Sequence, residues 1–303
     1  MSESKQNSNA GNAGDLLKHS GYLALLHELI EHPTWSQELR IIEAHSGKGV
    51  YAAKSSNLRD ARSLSGYAVS PLGAAQATAF AEPPTGLGPL AGLGGDEIPY
   101  AGSAVIHALE LRKLPRRALT LMDHDASVRN TVALVFREPA LVPLAPDLQL
   151  IDPGTLSELT VLRALERDDY SQNDILHFDP FAFLMDQAAQ TRSTYKRLVT
   201  RCNEQVHRGK LAGATLFLTW GSNNRAALDD LVGSGYGGGL DGGYRDLLAT
   251  VEPSQRIVLT WCWTYHFAML LIVPMELRTA IASRLHKYVE VFRPKLRTRL
   301  TVE

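Results

Sequence analysis

The chain has 303 residues, 45% hydrophobic and 21% charged, enough apolar material for one large domain or one and a half. A formal net charge of −1 and a pI near 6.8 exclude a bulk positive field for holding nucleic acid non-specifically, so such contact needs a local basic patch. The two cysteines, Cys202 and Cys262, form no C-x-x-C pair, so neither a zinc ribbon nor a dithiol redox site is supported; both read as small core residues.

Residues 1–13 are polar and lack the apolar segment of a secretory signal. No apolar run reaches the roughly 18 residues of a membrane-spanning helix. The expectation is a reduced, cytoplasmic protein with no membrane or metal partner, with a monomer favoured. In chain order, Leu16, Leu17, Tyr22, Leu23, Leu25, Leu26, Leu29 and Ile30 recur at helical spacing and predict a helix over 14–32, closed by Pro33. A first strand follows over 40–44. Residues 52–98 change in composition: they are rich in Ala, Gly, Ser and Pro and read as a helical and loop insertion. The main domain is then 1–51 plus 99–303.

Ser103 to Arg112 is predicted helical, with Ser103 as a plausible N-cap. Strands are then expected at 118–122, 148–151, 175–178, 214–219, 257–263 and 268–273, and helices at 125–137, 155–167, 185–208, 222–232 and 276–291. Strand–helix alternation at this spacing implies a doubly wound, mostly parallel α/β sheet. The last two strands are too close for a crossover helix and should form an antiparallel hairpin at one sheet edge. The Gly-rich run 233–239 reads as a surface loop, with a lid as the alternative.

Four places along this pattern carry chemistry. Gly47-Lys48-Gly49-Val50-Tyr51-Ala52 fits G-x-G-x-x-A after a strand, where glycines let backbone approach a ligand. It suits a dinucleotide dehydrogenase, a methyltransferase or a tight turn without ligand. Asp123 ends the next strand, as a ribose ligand or a helix cap. Asp152, before Pro153-Gly154, reads equally as an adenine-side ligand or a turn former. Asp179-Pro180, after the apolar run 175–178, places a carboxylate in the crevice where open α/β sheets bind ligands, with helix capping as the alternative. His177 reads as a core histidine, and Trp220, Trp261 and Trp263 as core or edge aromatics. Basic clusters at Arg112, Lys113, Arg116 and Arg117, and from Arg284 to Arg299, read as solvated surface before phosphate contacts.

Three blocks then carry a resemblance: Asn9-Ala10-Gly11-Asn12-Ala13-Gly14-Asp15-Leu16-Leu17-Lys18-His19, Glu43-Ala44-His45-Ser46-Gly47-Lys48-Gly49-Val50-Tyr51, and Tyr100-Ala101-Gly102-Ser103. In order and spacing they resemble the RlmJ-type 23S rRNA adenine-N6 methyltransferases. The resemblance implies a Rossmann-like, seven-stranded methyltransferase sheet with a helical insertion after the first strand. It implies S-adenosyl-L-methionine as methyl donor and RNA, 23S rRNA in particular, as substrate. Lys18 and His19 would face the donor's carboxylate end, His45 would flank Gly47 and Gly49 beside its methionine part, and Ser103 would sit at the donor pocket. Asp123 would take the ribose and Asp152 the adenine side. Asp179, Pro180 and Phe181 would be the catalytic group. Where the family reads Asp-Pro-Pro-Tyr this chain reads Asp179-Pro180-Phe181-Ala182, and it lacks the family's aromatic and histidines before Ala-Gly-Asn. A relative that keeps the donor pocket but no longer methylates adenine, or that methylates a protein or small molecule, is the alternative.

Overall fold

Side chains of the first strand, β1 (Glu38–Glu43), alternate between two cores. Leu39 and Ile41 enter one hydrophobic cluster, and Ile42, with Ala44 just beyond, enters the other. The same division runs through the neighbouring strands, which fixes a three-layer α/β/α arrangement. The computed structural model describes residues 11–56, 62–81, 95–138, 147–179, 189–220, 247–262, 266–295 and 301–302.

The main sheet also contains β4 (Arg116–Met122), β5 (Asp147–Ile151), β6 (Asp174–Phe178), β7 (Gly213–Trp220), β8 (Arg256–Cys262), β9 (His266–Ile272) and the two-residue β10 (Thr301–Val302). Its order is β10-β8-β9-β7-β6-β1-β4-β5. Strands β5, β4, β1, β6 and β7 run parallel, whereas β9 pairs antiparallel with both β7 and β8. The seven longer strands are the expected mostly parallel sheet. The expected hairpin forms, with β9 inserted next to β7 and short β10 covering the β8 edge.

One face carries α1 (Ala13–Glu31), α3 (Ser103–Leu111), α4 (Ala126–Val135) and α7 (Arg278–Glu290). The other carries α5 (Ser157–Glu166) and α6 (Ala189–His207). Helix α1 is central and apolar on most of its circumference: Leu16, Leu17, Leu23, Ala24 and Leu29 are fully buried. Its C-terminal half is tied to its neighbours by His27, which bonds Tyr288 of α7 and Glu110 of α3, and by Arg284, which bridges Glu28 and Glu31.

The stretch after β1 contains a feature that composition did not reveal. β2 (Val50–Lys54) and β3 (Glu97–Ala101) pair antiparallel into a two-stranded ribbon, with α2 (Pro71–Ala79) between them in sequence. Tyr51 and Tyr100 face each other in register on this ribbon. Ser103 is not the N-cap of α3. Gly102 occupies that position without a side-chain cap, and Ser103 begins the helix with its hydroxyl turned to Glu43. The expected helix 222–232 and the glycine run 233–239 lie outside the described residues. So do Trp263 and the side chains of Trp220 and Trp261.

Candidate active site

The C-terminal tips of β1, β4, β5 and β6 lie side by side, Glu43 in register with Leu121 and His177, and Met122 with Ile151. This brings the segments beginning at His45, Asp123, Asp152 and Asp179 to one end of the sheet, the end at which parallel α/β sheets bind ligands. Helix α1 starts beside them. Asn12 caps it by accepting from the Asp15 amide at 3.2 Å, and Asp15 Oδ2 reaches back to the Gly11 amide at 2.9 Å, a variant of the capping box.

The other oxygen of Asp15 accepts from Lys18 Nζ at 2.8 Å, and the same ammonium donates to Asp179 Oδ2 at 2.6 Å. Lys18 is buried rather than part of a solvated helix face, and its Nζ lies 5.1 Å from the centre of the Phe217 ring. Burial alone would lower the Lys18 pKa. The carboxylates of Asp15 and Asp179 outweigh it and raise the pKa, so the lysine is charged. One ammonium between two carboxylates leaves the cluster with a net charge of −1.

His19, next in sequence, is buried and its Nδ1 is hydrogen-bonded to Tyr100 Oη at 2.7 Å, the two rings stacked at 5.7 Å. Burial, followed by the Lys18 charge, pushes its pKa well down, so it adds no positive charge. Beneath lies Glu43, wholly buried. It accepts from the Ser103 hydroxyl and lies 3.3 Å from His107 Nδ1 and 4.0 Å from His177 Nε2. His177 bonds Thr215 through Nδ1 at 2.6 Å, and burial keeps it neutral, as a core histidine.

The glycine turn is built by packing. Gly47 and Gly49 have φ of +57° and +77°, left-handed conformations that cost other residues strain. A Cβ on Gly47 would lie 2.1 Å from the Tyr51 hydroxyl, which accepts from the Lys48 amide at 3.0 Å. Gly102 closes against the turn through its amide, 2.8 Å from the Gly49 carbonyl. At the head of the turn, His45 Nε2 lies 3.5 Å from Glu158 Oε2.

The two acids farther along are tied into local structure. Asp123 Oδ1 accepts from the Asp125 amide, and it is Asp125 that caps α4. Asp152 accepts from the Gly154 amide in a turn and pairs with Arg129, its side chain 56% exposed. Arg129 also donates to the Asp123 carbonyl at 2.6 Å and so clips the two strand tips together. Pro180 and Phe181 lie outside the described residues.

Of the expected residues, the fold thus joins Lys18 directly to Asp179, links Asp123 and Asp152 through Arg129, and sets His19 and Ser103 beneath the site as buried partners of Tyr100 and Glu43. Sequence reasoning missed Asp15, Glu43, Glu158 and Arg129. Asp15 and Glu43 were visible as acids inside the two most specific motif blocks. Glu158 and Arg129 carried no local signal. Four cations of the basic clusters are paired with acids: Arg116 with Glu38, Lys113 with Glu110, Arg284 with Glu28 and Glu31, and Arg293 with Glu290. Among the described residues no group of His, Cys, Asp and Glu is arranged to hold a metal, and no helix is long and apolar enough to cross a membrane.

No family model and no curated protein matches the chain. Among solved structures, the METTL16 MTase domain is similar at 12% identity, covering 83% of this chain and 66% of that one, with a TM-score of 0.39. The human methyltransferase 10 domain containing protein is similar at 12% identity, covering 86% and 82%, also at 0.39. A Legionella pneumophila (strain Philadelphia 1) protein described by the family model DUF519 is similar at 15% identity over 97% of both chains, with a TM-score of 0.59. The chain therefore shares with that protein, along nearly its full length, one fold: a mostly parallel α/β sheet ending in an antiparallel pair.

Proposed function

We propose that the chain is an S-adenosyl-L-methionine-dependent methyltransferase of the RlmJ type, acting on the exocyclic amine of a nucleobase, adenine in RNA such as 23S rRNA. The observation that carries this reading is the Asp15–Lys18–Asp179 chain, which joins the most specific motif block to the expected catalytic acid across 161 residues of sequence. A generic nucleotide fold has no need of a buried ammonium there.

The residues fit the donor. The left-handed Gly47 and Gly49 turn the backbone sharply at the end of β1, and His45 offers a buried ring nitrogen, Nδ1, with no hydrogen-bond partner among the described residues. His45, Gly47, Gly49 and Asp123 would hold it, Asp152 would contribute from the rim, and Ser103 and His19 would shape the floor. When bound, the donor supplies a methyl group activated on a sulfonium. Asp179 has one oxygen on Lys18, and the other would accept from an incoming amine. Lys18 fixes the carboxylate's orientation, and the net negative cluster favours the positive charge that builds on the amine nitrogen. Pro180 and Phe181 would complete the acceptor side, and residues 52–98 would form an inserted subdomain beside the site.

A second reading keeps the donor and changes the acceptor to a protein or small molecule. The acid pairing of Lys113, Arg116, Arg284 and Arg293 favours it, since a cation already matched by a carboxylate releases few counterions on meeting a phosphate. The test is binding of S-adenosylhomocysteine by calorimetry, followed by transfer of labelled methyl to total RNA or to a cell extract. Donor binding with label in RNA supports the first reading, and label only in protein or small molecules supports the second. No binding at millimolar concentration refutes both.

A further inference from the structure

Glu158 and Tyr195 come from two different helices on the far face of the sheet, yet both bear on the imidazole at the mouth of the glycine turn. Glu158 stands in the first turn of α5 and Tyr195 on α6. Tyr195 Oη donates to Glu158 Oε1 at 2.6 Å, and Glu158 Oε2 faces His45 Nε2 at 3.5 Å. Glu158 is 8% and Tyr195 1% exposed, so a carboxylate has been drawn into an apolar layer formed by Val161, Leu162, Leu198 and Val199. Burying a carboxylate there is costly unless its oxygens are engaged; Tyr195 donates to one, His45 faces the other, and the Glu158 backbone amide also donates to the carboxylate.

The consequence falls on His45. Because Glu158 takes the Nε2 side of the ring, the ring's rotation is set and Nδ1 is left facing the other way. Nδ1 is buried, and among the described residues it has no hydrogen-bond partner. A buried polar atom without a partner costs free energy and calls for an explanation, and at the mouth of the glycine turn a bound ligand supplies one.

We propose that Glu158 and Tyr195 are positioning residues that act through His45, holding its ring so that Nδ1 is presented to the methionine end of the methyl donor. This rests on the methyltransferase reading. It adds that donor affinity depends on two side chains outside all three motif blocks. The ionised state of Glu158 is consistent: burial opposes it, but the His45 and Tyr195 contacts outweigh burial and lower its pKa to about 2.

The test uses the full chain and S-adenosylhomocysteine in calorimetry. Glu158→Gln should weaken binding about 10-fold and Tyr195→Phe about 3-fold, as expected for losing one charge-assisted contact and one support to it. In a His45→Ala background, Glu158→Gln should cost less than about 2-fold, because its effect passes through the ring. Independent, additive losses would overturn the proposal, as would equal binding by wild type and Glu158→Gln. Nitrogen-15 spectra of the imidazole give a readout without donor: the His45 ring shifts should change in Glu158→Gln, and unchanged shifts would overturn the proposal. If Glu158→Gln does not fold, Glu158→Asp, which keeps the charge and shortens the reach, should bind between wild type and His45→Ala; wild-type affinity would overturn the proposal. A wild-type protein that binds no S-adenosylhomocysteine would overturn the methyltransferase reading and this proposal with it.

Discussion

Replacing Lys18 by Met keeps the length and apolar stem of the side chain while deleting the ammonium that sits between Asp15 and Asp179. At 2.8 and 2.6 Å, each contact has a gross Coulomb energy of about 6 kcal/mol at an effective dielectric of 20. Most of that offsets the desolvation of three charges. What remains when one partner is removed is the cost of leaving the other charges unpaired, about 3–5 kcal/mol for fully buried groups. Both carboxylates here keep 22% of their exposure and can draw in water, so the expected loss is about 2–4 kcal/mol. The folded-state pKa of Lys18 is raised above its ordinary 10.5. Its contribution is therefore complete below pH 10.5 and disappears only as pH rises through the higher folded-state value. Urea denaturation at pH 7 is thus the appropriate assay, run on wild type, Lys18→Met, Asp15→Asn and the double variant. Asp15→Asn should cost less in the Lys18→Met background than alone, by at least about 1 kcal/mol. A Lys18→Met loss below about 0.5 kcal/mol, or strict additivity, would show that no ammonium bridges the two acids.

Asp179→Ala should leave S-adenosylhomocysteine affinity within a few-fold and reduce methyl transfer by at least about 100-fold, because it removes the group that orients the amine; transfer at the normal rate removes Asp179 from the reaction. Gly47→Ala should destabilise the protein by about 1–3 kcal/mol in denaturant, since φ is +57° and the new Cβ would displace the Tyr51 hydroxyl; a neutral variant contradicts the turn geometry. Glu158 has a folded-state pKa of about 2 against an ordinary 4.5, so its stabilisation is present above pH 4.5 and is lost as pH falls toward 2. Acid titration of stability should show a loss of about 1–3 kcal/mol in that window for wild type, and Glu158→Gln should flatten it; identical acid profiles would argue against the His45–Glu158–Tyr195 contacts.

Much of the fold was legible because strand and helix periods survive in one dimension. Ile41 and Ile42 announce β1, and Leu16 to Ile30 announce α1. The ribbon of β2 and β3 was not legible. Its strands are only five residues long, about 40 positions apart, and flank a segment whose composition reads as loop. Ser103 misled for a related reason. A serine before an apolar run reads as a cap, but a buried carboxylate nearby competes for its hydroxyl, and Glu43 wins it.

The candidate site divides along the same line. Short-range chemistry determined which residue types gather at the strand ends: glycines where the backbone must turn left-handed, and acids at the ends of apolar runs. What it left open was pairing. Lys18 and Asp179 are 161 residues apart, His45 and Glu158 over a hundred, and nothing local distinguishes Glu158 from any other acid in a first helical turn. Only the packing of α1, α5 and α6 around the parallel strands decides these partners, because a buried charge must find its counter-charge in space, whatever the separation along the chain.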